Sequence, residues 1–192
     1  MNKNARPVAG DDPADPIRVK AGFSIFKNSP CVWPESMSGQ PDSPLRVHVV
    51  DSDPHVLRVI TQELMGDGRT VVAGQASTFR EARRLVRDVP FDVLLVDLAL
   101  PEQGGFELIR HARSVHPQAE VVALSRHETD DDALRAFELG AAGFVVKNSW
   151  FVSFVQAVLQ VANGGAAITP TLSRRLLLRR AAESTQPARR GA

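Results

Sequence analysis

FDVLLVDLALP, residues 91–101, is the stretch that decides the fold, because an apolar run typical of a buried strand ends in one carboxylate, Asp97. In open α/β sheets, ligands bind just beyond the carboxyl ends of the parallel strands. A buried strand that delivers a charged side chain to this position therefore predicts a functional site. We interpret Asp97 as part of that site rather than as an acid that only caps a loop.

Three further strand-like segments also end in polar side chains. They are LRVHVV (residues 45–50), followed by Asp51, Ser52 and Asp53; EVVAL (residues 120–124), followed by Ser125; and FVV (residues 144–146), followed by Lys147. Because the carboxyl ends of parallel strands meet at one edge of a sheet, we expect these side chains to lie near Asp97. This sheet edge is thus predicted to collect carboxylates, a hydroxyl group and an ammonium group.

Segments with helical periodicity alternate with the strands, which is typical of βαβ units and a parallel sheet. Asp53 precedes Pro54 as a helix N-cap, and Thr78 with Glu81 forms a capping box. Residues 71–73 supply a second strand. Five strands joined by right-handed crossovers predict an α/β fold of the flavodoxin-like (βα)5 type, a three-layer sandwich with a parallel sheet in the order 2-1-3-4-5.

Composition divides the chain into three parts. Residues 1–44 contain seven prolines and lack periodicity, so we expect a disordered Pro-rich N-terminal extension. Residues 45–165 carry the alternating pattern and form the predicted domain. Residues 166–192 are expected to form a basic C-terminal helix, at about residues 170–183, and a frayed tail. We interpret the arginines of this last part as a solvated helix face, with contact to nucleic acid as the less favoured alternative.

Bulk composition excludes several classes of protein. The 192 residues are 43% hydrophobic, which indicates a globular protein. Their net charge of +1 is too small to indicate a charged partner. Cys31 is the only cysteine, so no disulfide can form within the chain. The sequence shows no transmembrane span and no secretory signal, and we expect a cytoplasmic location without membrane contact.

The acidic residues expected at the sheet edge predict metal chemistry. Asp51, Asp53 and Asp97 cannot all stay ionised side by side without a cation, because neighbouring like charges repel. Mg²⁺ prefers carboxylate oxygens and leaves room for phosphate oxygens, so it is the expected cofactor. Asp97 would then attack phosphorus to form an aspartyl phosphate, while Lys147 and Ser125 hold the phosphate oxygens.

Four segments resemble the receiver domain of bacterial two-component response regulators, within a likeness that spans about residues 45–172: VVDSDP, DLALPEQGGFEL, VVALS and ELGAAGFVVKN. The resemblance implies the following roles: Asp97 as phosphoacceptor; Asp51, Asp97 and the carbonyl of Ala99 as Mg²⁺ ligands; Ser125 as switch hydroxyl; Lys147 as phosphate-binding lysine; and Phe144 as aromatic switch. It also implies a histidine kinase or phosphotransfer protein as phosphoryl donor, and signalling by protein contact rather than by enzymatic activity.

The C-terminal segment extends the resemblance. NGGAAITPTLSRRLL is similar to the NarL/FixJ subfamily, in which it leads into a helix-turn-helix DNA-binding domain. The chain ends before such a domain, so we expect no binding to nucleic acid. The resemblance implies a stand-alone regulator or the remnant of a LuxR-type transcription regulator.

Two positions depart from the family pattern. The second of two adjacent acids after the first strand, a metal ligand in the family, is Ser52 here, and Asp53 is either a replacement ligand or only an N-cap. Arg126 and His127 follow Ser125, where a small residue is common. These departures predict weak Mg²⁺ binding and slow or absent phosphorylation. They leave open the alternative that the chain is a pseudo-receiver, which binds partners without being phosphorylated.

Two further hypotheses concern catalysis and assembly. VVDSDP also resembles the DxD signature of haloacid dehalogenase-like phosphatases, with Asp51 as nucleophile and Asp53 as general acid, but this alternative leaves Asp97 and Lys147 without a role. The segment WFVSFVQAVLQVA (residues 150–162) is apolar around most of a helix, which predicts an interface. We expect this interface to form with a second copy in a homodimer, or with the N-terminal arm or the final helix.

Overall fold

A six-stranded parallel sheet forms the centre of the fold. This computed structural model describes residues 37–101, 104–147 and 153–185. The elements are β1 (Leu45–Val50), α1 (Pro54–Met65), β2 (Thr70–Ala76), α2 (Phe79–Asp88), β3 (Val93–Asp97), α3 (Gly104–Val115), β4 (Glu120–Ser125), α4 (Asp130–Glu138), β5 (Gly143–Val146), α5 (Phe154–Ala162), β6 (Ala167–Ile168) and α6 (Pro170–Thr185). The strand order is β2-β1-β3-β4-β5-β6, and neighbouring strands are parallel. The predicted flavodoxin-like α/β fold and the order 2-1-3-4-5 are confirmed.

The sheet has one more strand than the five that the sequence predicted. β6 consists of Ala167 and Ile168, which pair with Gly143 and Phe144 of β5. Two residues are too few to show a periodic pattern, so the prediction missed this strand. Gly143 allows β6 to approach, because a Cβ atom at this position would lie 2.8 Å from the carbonyl oxygen of Ala167.

Local hydrogen bonds determine where the first two helices begin. The Asp53 side chain accepts a hydrogen bond from the His55 amide at 2.9 Å and caps α1. The Thr78 hydroxyl accepts a hydrogen bond from the Glu81 amide at 3.2 Å, and the Glu81 carboxylate accepts one from the Ser77 amide at 3.1 Å. These caps start each helix just after a strand, so the polar residues at the strand ends stay at one edge of the sheet.

Two hydrophobic clusters cover the two faces of the sheet. One cluster packs α1 and α5 on the sheet and includes Ile60, Leu64 and Leu159. The other packs α2, α3 and α4 on the opposite face and includes Phe106 and Ile109. The strand β3 is buried throughout, because both of its faces are covered. This double burial explains its continuous apolar sequence.

Helix α5 is buried within the chain itself. Of the segment 150–162, residues 150–152 lie outside the described residues, and Ser153 caps a helix that begins at Phe154. Its apolar side chains pack on the sheet, α1 and β6. Beyond the helix, Asn163 accepts a hydrogen bond from the Ser38 amide at 2.8 Å. The apolar side chains of α5 are therefore buried without a second copy of the chain and without the final helix. The homodimer stays a prediction, and the apolar surface of α5 no longer supports it.

The final helix α6 packs against α4. Arg175 forms ion pairs with Glu128 (2.7 Å) and Asp130 (2.8 Å), and Arg179 forms one with Asp131 (3.0 Å). Part of the arginine run that we interpreted as a solvated face is therefore paired with acids at the start of α4. The acids at this position support the helix dipole of α4 and also bind α6.

Two predictions fall largely on residues that are not described. Residues 1–36 hold most of the expected Pro-rich extension, and residues 186–192 hold the expected frayed tail. Among the described helices, none combines the length and the apolar character needed to cross a bilayer.

Candidate functional site

Two carboxylates and one ammonium group meet at the carboxyl edge of the sheet. Asp97 ends β3 and Asp51 follows β1, and both residues are 0% exposed. Lys147 follows β5 with its side chain 4% exposed. Its Nζ atom lies 2.6 Å from Asp51 Oδ2 and 2.8 Å from Asp97 Oδ1. We call these three residues the acid pocket.

Both oxygens of the Asp97 carboxylate have partners. Oδ1 accepts a hydrogen bond from the Ala99 amide at 3.0 Å and also faces Lys147. Oδ2 accepts one from the Ser52 hydroxyl at 3.3 Å. Because a hydroxyl group rotates easily, Oδ2 is the oxygen that can be released with the least rearrangement.

Burial and the contact with Lys147 act in opposite directions on the Asp51 carboxyl group. Its Oδ1 accepts a hydrogen bond from the Asp53 amide at 3.0 Å, while Oδ2 faces Lys147. Burial raises the pKa of the Asp51 carboxyl group, and the hydrogen bond and charge of Lys147 oppose this rise. The neighbouring ammonium group is therefore the contact that most favours the ionised form of this buried carboxyl group.

The Asp53 carboxylate is engaged outside the acid pocket. One of its oxygens accepts the hydrogen bond that caps α1, and the other lies 3.2 Å from the Arg126 guanidinium. The hydrogen bond from His55 is the largest cause that lowers the pKa of Asp53. Of the two roles that the sequence left open for Asp53, the structure shows the N-cap. The ion pair with Arg126 joins the loops that follow β1 and β4.

The remaining predicted site residues surround the acid pocket. Ser125 is buried at the end of β4; its hydroxyl accepts a hydrogen bond from the His127 amide at 3.2 Å, and its carbonyl accepts one from the Lys147 amide at 2.8 Å. Phe144 is fully buried in the cluster on the α3 and α4 side of the sheet. The switch roles of Ser125 and Phe144, and the metal-binding role of the Ala99 carbonyl, stay predictions.

Comparison with known proteins agrees with this arrangement. The family model of the response regulator receiver domain matches residues 47–159, which include every residue of the acid pocket. The chain belongs to the response regulator receiver family. Its curated relatives include response regulators of two-component signalling, as the sequence resemblance implied.

Three relatives illustrate how far this receiver likeness extends. The response regulator GacA of Pseudomonas viridiflava is 34% identical over 135 residues, which cover 70% of this chain and 63% of GacA. The probable transcriptional regulatory protein NarL of Mycobacterium tuberculosis (strain CDC 1551 / Oshkosh) is 30% identical and covers 71% of this chain and 63% of that protein. The crystal structure of a LuxR-family two-component response regulator from Aurantimonas sp. SI85-9A1 is 32% identical, has a TM-score of 0.68, and covers 72% of this chain and 99% of that chain. This chain spans less than two thirds of the length of the curated relatives GacA and NarL.

The acid pocket of this receiver offers Mg²⁺ two carboxylates, those of Asp51 and Asp97. Across the described parts of the chain, no three acidic, histidine or cysteine side chains converge as a metal-binding group. Mg²⁺ is commonly held by one or two carboxylates together with water and the phosphate oxygens of a substrate. The two carboxylates therefore fit a Mg²⁺ ion, and the neighbouring Ser52 side chain is an uncharged hydroxyl that bonds to Asp97.

Gly105 is a site-supporting residue that the sequence analysis missed. At this position in the first turn of α3, a Cβ atom would collide with the carbonyl oxygen of Asp97 and would lie 2.6 Å from Leu98 Cα. Only glycine lets α3 approach the backbone that carries Asp97 this closely. The adjacent glycines Gly104 and Gly105 were the available signal, but a glycine pair alone does not show which backbone it meets.

Gly105→Ala is expected to lower the free energy of unfolding by about 1–3 kcal/mol, because the added methyl group overpacks against backbone atoms. Urea unfolding followed by circular dichroism measures the change. Gly68→Ala is the matched control, since a Cβ atom there meets nothing within 4 Å. Equal stability of the two variants would show that α3 does not need glycine beside Asp97.

Proposed function

We propose that this receiver accepts a phosphoryl group on Asp97 from a phosphohistidine of a histidine kinase or phosphotransfer protein. The observation that supports the proposal most strongly is the position of Lys147 Nζ, within 2.8 Å of two buried carboxylates at the carboxyl edge of the sheet. A buried cation beside a nucleophilic carboxylate favours transfer of an anionic group to that carboxylate.

The attacking atom is Oδ2 of Asp97, which accepts a hydrogen bond from the Ser52 hydroxyl. Asp97 Oδ2 attacks phosphorus, the new O–P bond forms as the P–N bond of the donor breaks, and the bonding electrons leave with the imidazole. Lys147 then pairs with a phosphoryl oxygen, and the Ser125 hydroxyl donates a hydrogen bond to another. When bound, Mg²⁺ would neutralise charge on Asp51, Asp97 and the phosphoryl oxygens.

The added charge acts on the loop between β4 and α4. Phosphorylation adds a charge of about −1.5 to −2 at neutral pH, which draws Ser125 and Lys147 toward the phosphate. Ser125 begins this loop, and Glu128 within it is paired with Arg175 of α6. We infer that the signal leaves through protein contacts on the face formed by α4, β5 and the helices beside them.

Acetyl phosphate with Mg²⁺ tests this proposal. Intact-mass spectrometry is expected to show one added phosphoryl group on the wild-type chain and none on Asp97→Asn. Asp53→Asn is the matched control, because asparagine still caps α1 and this carboxylate lies outside the acid pocket. Persistent phosphorylation of Asp97→Asn would contradict the proposal.

A pseudo-receiver is the second candidate, and the same contacts favour it. Lys147 already pairs with both buried carboxylates, Ser52 replaces an acid, and Arg126 holds Asp53 away from the pocket. In this alternative the wild-type chain gains no phosphoryl group and binds its partner through an unphosphorylated surface. Phosphorylation of Ser52→Asp but not of the wild-type chain would select this alternative and identify Ser52 as the cause.

The phosphatase alternative has less support. It requires Asp53 to act as a general acid beside Asp51, whereas the Asp53 carboxylate caps α1 and pairs with Arg126. It also leaves the contact between Lys147 and Asp97 without a role.

A further inference from the structure

Helix α2 carries a stripe of exposed arginines on the side of the molecule away from α5. Arg80, Arg83, Arg84 and Arg87 follow the spacing i, i+3, i+4 and i+7, which places them on one helix face. Like charges at this spacing destabilise an isolated helix. Arg87 pairs with Asp88 at 2.7 Å, but no carboxylate among the described residues forms an ion pair with the other three. The stripe therefore favours an anionic ligand.

The stripe borders a groove of about 400 Å³ between α2 and α3. The residues that line it are Phe79, Arg80, Arg83, Arg84, Arg87 and His111. This volume is within the usual range of small-molecule sites, about 300–1,000 Å³. A concave site with an aromatic wall is better suited to a small ligand than to a flat membrane surface.

His111 contributes an uncharged ring to the lining of the groove. Its Nε2 atom is buried and has no hydrogen-bond partner among the described residues. The ring bonds to the backbone of Arg83, so we assign the ring proton to Nδ1 and treat Nε2 as an acceptor. Burial is the largest cause that lowers the pKa of His111, followed by the charge of Arg83, and both favour the neutral ring. The arginines are therefore the source of positive charge among the residues that line the groove.

We propose that this groove binds a nucleotide with at least two phosphate groups. Arginine forks bind phosphate oxygens in pairs, and Phe79 offers a ring on which a base can stack. No residue of the groove belongs to the acid pocket, so this proposal concerns a site other than the phosphoacceptor.

Equilibrium dialysis of the full chain tests the proposal, with ATP, GTP, inorganic triphosphate or adenosine as probe and with EDTA present. We expect ATP or GTP to bind more tightly than triphosphate, and adenosine not to bind. Arg83→Gln/Arg84→Gln should weaken nucleotide binding about tenfold or more, because it removes two charge-assisted contacts. The control Arg58→Gln/Arg174→Gln removes the same charge from exposed positions on α1 and α6 and should leave binding unchanged.

Phe79→Leu separates base recognition from charge. It should weaken binding of ATP or GTP and leave binding of triphosphate unchanged, because leucine keeps the apolar packing and removes the ring. Absence of nucleotide binding, or equal loss in the two double variants, would overturn the proposal. Triphosphate bound as tightly as nucleotides would exclude base recognition. A single-stranded oligonucleotide bound far more tightly than any mononucleotide would replace the proposal with a nucleic-acid site.

Discussion

Replacing Lys147 with methionine is expected to lower the free energy of unfolding by about 3–5 kcal/mol at neutral pH. Lys147 is the buried cation that lies between Asp51 and Asp97, and both of those residues are fully buried. Methionine keeps most of the side-chain volume but leaves two neighbouring carboxylates without a positive charge. Removing one partner of a buried ion pair is costly because the remaining charge stays out of water.

Urea unfolding of three variants separates this effect from ordinary loss of an ion pair. Arg87→Met breaks the ion pair with Asp88, in which both side chains are more than half exposed, and should cost less than about 1 kcal/mol. Adding Asp51→Asn to Lys147→Met should restore much of the lost stability, because one buried charge is then removed. A loss for Lys147→Met no larger than that for Arg87→Met would show that the acid pocket is not desolvated.

The second large effect is a loss of stability in mild acid caused by His48. This residue of β1 is 0% exposed, and neither ring nitrogen has a hydrogen-bond partner among the described residues. Its ring stacks on Phe91 with the centroids 4.5 Å apart. Burial, with smaller contributions from the charges of His116 and Arg46, lowers the pKa of His48 from 6.5 to about 4.

The sign of the pH effect follows from these two pKa values. Well above pH 6.5 the imidazole is neutral in both the folded and the unfolded chain, so His48 imposes no penalty there. As the pH falls from 6.5 to about 4, the unfolded chain takes up a proton at His48 and the folded chain does not. Each pH unit in this interval costs about 1.4 kcal/mol, and the total loss is about 3 kcal/mol.

Unfolding curves measured between pH 7 and pH 4 test this expectation. His48→Leu should flatten the pH dependence relative to the wild-type chain without lowering stability at pH 7, because it removes two unsatisfied buried nitrogens. His55→Gln, at an exposed position, should leave the wild-type profile unchanged. Parallel profiles for wild type and His48→Leu would mean that His48 is protonated in the folded chain as readily as in the unfolded one.

The fold could be predicted from the sequence because its decisive signals are local. The buried run before Asp97 and the caps at Asp53 and Thr78 depend on residues close in the chain, and they suffice to place β3, α1 and α2. The strand β6 could not be predicted, because two residues carry no period and its pairing depends on space beside Gly143. The pairing of Arg175 and Arg179 with acids of α4 was likewise hidden, since it depends on how α6 packs.

The candidate site was predictable in its membership but not in its contacts. Strand order alone placed Asp51, Asp97 and Lys147 at the same sheet edge. Only the three-dimensional arrangement shows that Lys147 lies between the two carboxylates. It also shows that the Asp53 carboxylate caps α1 and pairs with Arg126. Side chains at a strand end can point in several directions, and the neighbouring loops decide which contacts form.

Among the acids at this sheet edge, Asp97 is the residue that we propose accepts the phosphoryl group. The most direct measurement is tandem mass spectrometry after incubation with acetyl phosphate and Mg²⁺ and reduction with borohydride, which converts an aspartyl phosphate to an alcohol. We expect the reduced side chain at position 97 alone. Reduction at Asp51 or Asp53, or no reduced aspartate after complete peptide coverage, would contradict the claim.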